Sequence, residues 1–108
     1  MITIENMEEM KEYYVEEKNT YVFDDDVDFL FDVNVLSHIE AFDINVENIK
    51  AWNINACNIN ALNIDANNIS YYAVCFAYDS IRCNSIVGRR MNSKHFVLDG
   101  ELVVGGNK

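Results

Sequence analysis

The sequence predicts a mainly β fold, a small β-solenoid in which short strands stack coil upon coil, and three observations point to it. From residue 39 to residue 69 an isoleucine recurs at every fifth position: Ile39, Ile44, Ile49, Ile54, Ile59, Ile64 and Ile69. Asp43, Asn48, Asn53, Asn58, Asn63 and Asn68 each directly precede one of them. A small residue follows two places later, as Ala41, Val46, Ala51, Ala56, Ala61 and Ala66. Period five suits neither a 3.6-residue helix nor a simple two-residue strand alternation. Fixed-period self-similarity marks a stacked architecture. In such a stack Ile fills the axis, Ala lets opposite walls approach, and the Asn amides form ladders between coils that hydrogen-bond at about 4.8 Å spacing.

The elements follow in chain order. Asn6 caps a short N-terminal helix, Glu9 stands three residues on as the capping-box acid, and Met7, Met10, Tyr13 and Tyr14 recur at helical spacing. Glu8 and Glu9 suit its positive N-terminal end. Residues 20–23 read as a short strand, and Asp24, Asp25 and Asp26 as the turn after it. Val27, Phe29, Phe31, Val33 and Val35 then alternate with Asp28, Leu30, Asp32 and Asn34, which reads as one strand with a single buried face. Beyond Ile69 the phase slips by two residues, so that Phe76, Ile81, Ile86, Met91 and Phe96 carry the series onward past a bulge near residues 71–75. Asp99-Gly100, between the apolar stretches 96–98 and 102–104, is a hairpin turn signal. Residues 105–108 read as a frayed tail.

The chain of 108 residues has the size of one domain. Its expected divisions are an acidic helix and strand cap over 1–35, the five-residue repeat over 36–96, and a C-terminal hairpin or strand with a tail over 97–108. Solenoid ends are unpaired strand edges, which proteins cover; the N-terminal segment is the cover expected at one end, with residues 96–104 at the other. Half of the residues are apolar, which argues against disorder despite a net charge of −10. The N-terminus lacks the basic-then-apolar pattern of a signal peptide, and no stretch approaches the roughly 20 apolar residues of a membrane span. Cys57, Cys75 and Cys83 have no C-x-x-C spacing. Reduced thiols in a cytoplasmic protein are the simplest account, and the Asn68-Ile69-Ser70 sequon then carries no glycan.

Charge is unevenly spread. Residues 1–35 hold 11 acids and 2 bases, net −9; residues 36–70 hold 4 and 1, net −3; residues 71–108 hold 3 and 5, net +2. A broad basic surface for direct nucleic-acid binding is therefore not expected. Arg82, Arg89, Arg90 and Lys94 form the one local basic cluster. An acidic chain meets a basic partner, or simply stays soluble.

No constellation for catalysis emerges. Asp24, Asp26 and Asp28 occupy positions one, three and five of a calcium loop, but the sixth position is Phe29 rather than Gly and the twelfth is Val35 rather than Glu. A solvated acidic turn is the better reading. His38 and His95 have no metal-ligand spacing to a cysteine, and no motif surrounds a Cys–His pair. The cysteines read as small fillers. No catalytic residue, metal site or cofactor is expected.

The regular pentads, such as Ala51-Trp52-Asn53-Ile54-Asn55, resemble the pentapeptide-repeat family, over roughly residues 36–96. That resemblance implies a four-sided right-handed β-helix with one pentad per side, hence about three coils in a stack roughly 15 Å long. Here the small and large inward positions are exchanged relative to that family. Four sides would place residues 20 apart in vertical contact: Trp52 on Tyr72, Phe42 on Leu62, Glu47 on Asn67. Trp52 and Tyr72 are then a candidate contact face, unless they only stack on each other or lie under the N-terminal segment. The chain also resembles short acidic Asn-Ile-Asn-Ala proteins of phages and prophages of Gram-positive bacteria.

The family includes acidic rods that occupy the DNA groove of type II topoisomerases, so the resemblance implies DNA mimicry toward a basic, nucleic-acid-binding protein. Small size and the phage resemblance favour inhibition of a nuclease complex such as CRISPR–Cas over a topoisomerase. The candidate partner-binding residues are Glu8, Glu9, Glu12, Glu16, Asp24, Asp25, Asp26, Asp28 and Asp32, with Trp52 and Tyr72. The alternative is an assembly module that self-associates through its ends, a homodimer paired along Phe96, Leu98, Leu102 and Val104.

Overall fold

The computed structural model describes residues 1–105. Its elements are β1 (Ile2–Ile4), α1 (Met7–Met10), β2 (Tyr14–Val15), β3 (Thr20–Val22), β4 (Val27–Phe29), β5 (Val33–Asn34), β6 (His38–Glu40), β7 (Asp43–Asn45), β8 (Asn48–Lys50), β9 (Asn53–Asp65), β10 (Asn68–Cys83), β11 (Ser85–Gly88), β12 (Lys94–Val97) and β13 (Glu101–Val104). The chain is a mainly β solenoid of about five turns. Apart from the antiparallel pair β2–β3, every pairing is parallel.

The coil has three sides, not the expected four. Ile39 pairs with Ile54, Ile44 with Ile59, Ile49 with Ile64, and Ile54 with Ile69, each 15 residues on. Three pentads therefore close one turn. The first side stacks β3, β6 and the starts of β9 and β10 under β11. On the second side, β1, β4, β7 and the middles of β9 and β10 lie under β12. The third is built from β5, β8 and the ends of β9 and β10 under β13. In one coil Ile54, Ala56, Ile59, Ala61, Ile64 and Ala66 all point inward and are buried, so three Ile and three Ala close-pack each triangular section.

The exchange of small and large inward positions is thus realised, since Ile and the residue two later share the inner face. At each corner one carbonyl accepts two backbone N–H groups from the coil above: Phe42 O from Cys57 (2.5 Å) and Asn58 (3.3 Å), Glu47 O from Leu62 (2.8 Å) and Asn63 (3.0 Å), Trp52 O from Asn67 (2.6 Å) and Asn68 (3.2 Å).

The Asn ladders run up each side in one direction. Asn58 Nδ2 donates to Asp43 Oδ1 (2.9 Å), Asn63 to Asn48 (2.7 Å), Asn48 to Asp32 (3.0 Å) and Asn68 to Asn53 (2.9 Å). Two ladders end below on an acceptor-only carboxylate, Asp32 or Asp43. Two end above on a hydroxyl donor, with Ser80 Oγ on Asn63 and Ser85 Oγ on Asn68, each at 2.7 Å. The first-side ladder alone lacks such a foot. There the register puts His38 below Asn53, and His38 Nδ1 is buried with no hydrogen-bond partner among the described residues. Replacing His38 by Asn extends the ladder by one rung, and thermal denaturation should show a gain of about 1 kcal/mol.

The N-terminal segment differs from the expectation in detail. Asn6 caps α1 by accepting the Glu9 N–H at 3.0 Å, and Glu9 Oε1 accepts the Glu5 N–H at 2.7 Å. The helix stops after Met10 and passes through a 3-10 turn at Lys11–Tyr13, so Tyr14 lies in a strand. Met10 is fully buried and belongs to the same core as Phe23 and Phe29, and the rings of Tyr13, Phe23, Phe29 and Phe31 pack in sequence at this end. Residues 27–35 form two strands, not one, because Leu30 to Asp32 turn a corner. Strands β3 to β5 are already the first coil, so the solenoid begins at Thr20 rather than at residue 36.

The upper coils carry two one-residue bulges, between Tyr71 and Val74 and between Ala77 and Ser80; the first was expected. Beyond them the inward series is Cys75, Ile81 and Ile86, while Phe76 and Phe96 point outward and Met91 is almost wholly exposed. The expected continuation through Phe76, Met91 and Phe96 does not hold: the first bulge slips the phase by one residue rather than two, which brings Cys75 inward in place of Phe76, and three further residues between Gly88 and Lys94 shift Met91 and Phe96. The hairpin at Asp99-Gly100 does not form either. β12 and β13 each lie parallel on β10 as two sides of the last coil. Gly100 serves a close approach instead, since a Cβ there would lie 1.6 Å from the Asp79 carbonyl oxygen. Of the tail expected over 105–108, residues 106–108 lie outside the described residues.

Candidate functional site

The acidic residues gather around the N-terminal end. Glu8, Glu12, Glu16 and Glu17 stand exposed on the cap; Asp24, Asp25 and Asp26 turn the corner from the first side to the second; Asp28 faces out on the second side; Asp32 ends the next corner. Among the described residues only two ion pairs occur, the terminal ammonium with Asp25 at 3.0 Å and Lys11 with Glu8 at 3.8 Å. The Asp26 backbone N–H, at 2.7 Å, and then the terminal ammonium hold the Asp25 carboxyl below its ordinary range. The unpaired carboxylates repel one another and project a negative potential from this end.

Some of the expected contact residues have work inside the fold. Glu9 closes the helix cap. Asp32 carries a ladder, and Asp26 Oδ1 accepts the Asp43 N–H at 3.1 Å. Glu8, Glu12, Glu16 and Asp24 face solvent, and Asp28 is half-buried with its carboxylate in no hydrogen bond or ion pair among the described residues.

Trp52 and Tyr72 do not form a joint face. With 15 residues per coil, Trp52 sits over Ser37 and under Asn67 at the corner from the third side to the first, whereas Tyr72 lies under Arg90 at the corner from the first side to the second. Each is exposed, Trp52 packing edge-on against His38 with ring centres 5.8 Å apart. The expected pairs Phe42 with Leu62 and Glu47 with Asn67 fail for the same reason.

Of the candidate self-association residues, Phe96 and Leu98 flank the second side, while Leu102 and Val104 extend the inward columns of the third side above Ile81 and Cys83. The last coil exposes them: Ile81 is 0% and Cys83 6% accessible, but Leu102 is 39% and Val104 45%. Among the described residues the two ends of the solenoid are therefore unlike, one acidic and lying against the N-terminal segment, the other, called the open end below, exposing apolar side chains. Just beneath the open end the fully buried Tyr71 hydroxyl meets His95 Nδ1 at 2.6 Å. Arg89, counted in the basic cluster, folds back along the corner; Nη1 donates to Asn55 Oδ1 at 2.9 Å and Nη2 to the Ala56 carbonyl at 2.7 Å.

One surface was missed by sequence reasoning. The outward column of the second side reads Asp28, Asn45, Asn60, Phe76, Phe96 from bottom to top, and the corner column beside it Leu30, Glu47, Leu62, Tyr78, Leu98. Short Asn45 and Asn60 leave a groove of about 480 Å³ between Leu30 and the Phe76 and Tyr78 rings, with Leu62 along its edge. The signal was a spacing of 15 to 17 residues at one pentad position, Leu30 to Glu47 to Leu62 to Tyr78.

The three cysteines are unbridged, with Cys75 and Cys83 buried. Burial, with Cys83 nearby, pushes the Cys75 thiol up to about 12. Among the described residues no group of three or more His, Cys, Asp or Glu is placed to hold a metal, and no helix is long and apolar enough to cross a membrane. No protein-family model, curated protein or solved structure matches this chain.

Proposed function

We propose that the protein is a non-catalytic acidic binder, its N-terminal end docking on the basic, nucleic-acid-binding surface of another protein and competing with DNA for it. The observation that carries this reading is the one-sided charge. Eleven acids fall in the first 35 residues, and among the described residues only two of them enter ion pairs. The first coil of the stacked scaffold carries the five Asp of this segment, which keeps the ordering cost of that part of the surface low on binding. The longest dimension, 33 Å, spans about one helical turn of duplex DNA. A body that short suits a compact nuclease complex, such as a CRISPR–Cas effector met by a phage protein in the host cytoplasm, better than the long groove of a topoisomerase.

The test is capture of partners from host lysate on the immobilised protein, followed by competition with duplex DNA. Captured protein should elute as salt rises from 50 to 500 mM and be displaced by DNA, because the contact replaces phosphates. Capture that ignores both salt and DNA contradicts the reading.

A second reading, self-association through the open end, is favoured by the exposure of Leu102 and Val104 in columns that are buried everywhere below. Light scattering on a sizing column should then give a dimer that Leu102→Asp converts to a monomer. A monomer across the micromolar range, in low and high salt, removes it.

A further inference from the structure

We infer that the groove on the second side is a docking site for a partner segment that presents an aliphatic or aromatic residue two positions from a Lys or Arg. This rests on the reading of the protein as a binder of basic surfaces, and it names a site separate from the cap. The groove's upper wall is the Phe76 and Tyr78 rings above Leu62; its lower part carries the carboxylates of Asp28 and Glu47. Neither carboxylate takes part in a hydrogen bond or ion pair within the described chain. A wholly apolar ligand would strip water from both carboxylates without replacing it. A wholly polar cation would leave the rings and Leu62 uncovered. A mixed segment satisfies both halves.

The spacing agrees. Along an extended segment, side chains two positions apart share a face and lie about 7 Å from each other, while rungs of the solenoid are about 4.8 Å apart. Glu47 is one rung below Leu62, and Asp28 is two rungs below Asn60. With its apolar residue against Leu62 and Phe76, a segment lying along the solenoid axis brings its basic residue between Glu47 and Asp28. The guanidinium or ammonium also comes within range of the ring faces, a contact that favours Arg.

The experiment uses the full chain and three fluorescein-labelled peptides of equal length, read by fluorescence anisotropy. One carries Arg and Phe two positions apart in a Gly-Ser background, one has its Phe replaced by Ser, and one has its Arg replaced by Glu. The mixed peptide should bind about tenfold more tightly than either control, and Asp28→Asn with Glu47→Gln, or Leu62→Ser, should remove about that factor. These positions face outward, so the variants keep the wild-type circular dichroism. The cap variant, with Glu8, Glu12, Glu16 and Glu17 all changed to Gln, should bind the mixed peptide within about twofold of wild type. Equal binding of all three peptides overturns the site, as does loss of binding in the cap variant matching that in the groove variants. So does a groove variant that turns a dimer into a monomer, since a second copy would then be the occupant. Loss of DNA-competed capture in the cap variant reports separately on the acidic end, so the groove and the wider reading fail independently.

Discussion

Replacing Tyr71 with Ala should cost about 3–5 kcal/mol, a third or more of the stability of a domain this size. Tyr71 stands in the inward column directly above Ala56 and Ala41, with Phe23 at its foot, and it is 1% accessible. A ring fits there because its neighbours shrink. Cys75 replaces the Ile of the column through Ile44 and Ile59, and Gly88 lies directly above, where a Cβ would come within 2.8 Å of the Tyr71 hydroxyl. The ring lies in the inner column just below the last coil, where Leu102 and Val104 are exposed among the described residues. Truncation leaves a cavity whose walls are held by backbone ladders and cannot collapse inward. Tyr71→Phe separates packing from the hydrogen bond to His95 Nδ1: it should lose only about 1 kcal/mol. Urea unfolding of the two variants checks this, with equal losses contradicting it.

The second large effect is alkaline. The Cys75 thiol rises from its ordinary value of 9.0 to about 12 through burial, with Cys83 adding to the shift. Burial raises the Cys83 thiol as well, Asp65 adding to it, and raises the Tyr71 and Tyr21 hydroxyls. These groups keep their protons longer in the folded chain than in the unfolded one. Above pH 9 the unfolded state therefore binds fewer protons, and stability falls with rising pH. The contribution of Cys75 is complete below pH 9 and lost by about pH 12, a change of about 4 kcal/mol at 1.4 kcal/mol per pH unit. Denaturation midpoints measured from pH 8 to 11 should drop steeply for the wild type and distinctly less for Cys75→Ala. Identical slopes would show that the thiol titrates normally.

The repeat made most of the core legible. Isoleucines at every fifth position and small residues two later are the buried columns, and the Asn or Asp before six of the seven Ile builds the ladders, because side-chain direction along a strand follows from spacing alone. The number of sides was not legible in the same way. A pentad specifies one side and one corner, and three or four such units close equally well on paper. The choice depends on how much volume Ile and Ala fill across the axis, a property of the whole coil. The same error misplaced Trp52 and Tyr72, whose contact depended on a 20-residue step.

Residues 27–35 misled through simple alternation: a corner at Leu30 to Asp32 keeps the inward pattern while breaking the strand. Asp99-Gly100 misled because Gly at a turn and Gly at a close approach look alike in sequence. In the candidate surfaces, the clustering of acids was plain from composition. That Asp26 and Asp32 are spent on backbone and ladder contacts was not, nor was a groove assembled from residues 15 to 17 apart.

The most direct test of the architecture is deletion by whole coils. Removing residues 46–60 takes out three pentads and joins Asn45 to Ala61, which then occupies the place of Val46 with every inward column still in register. That variant should fold cooperatively with the circular dichroism of a β-solenoid shortened by one turn. Removing residues 46–65, four pentads, rotates the upper coils by one side and sets the bulged side of Tyr71 over the wrong neighbours, so it should not fold. The reverse outcome, a folded 20-residue deletion beside an unfolded 15-residue one, would contradict the three-sided coil.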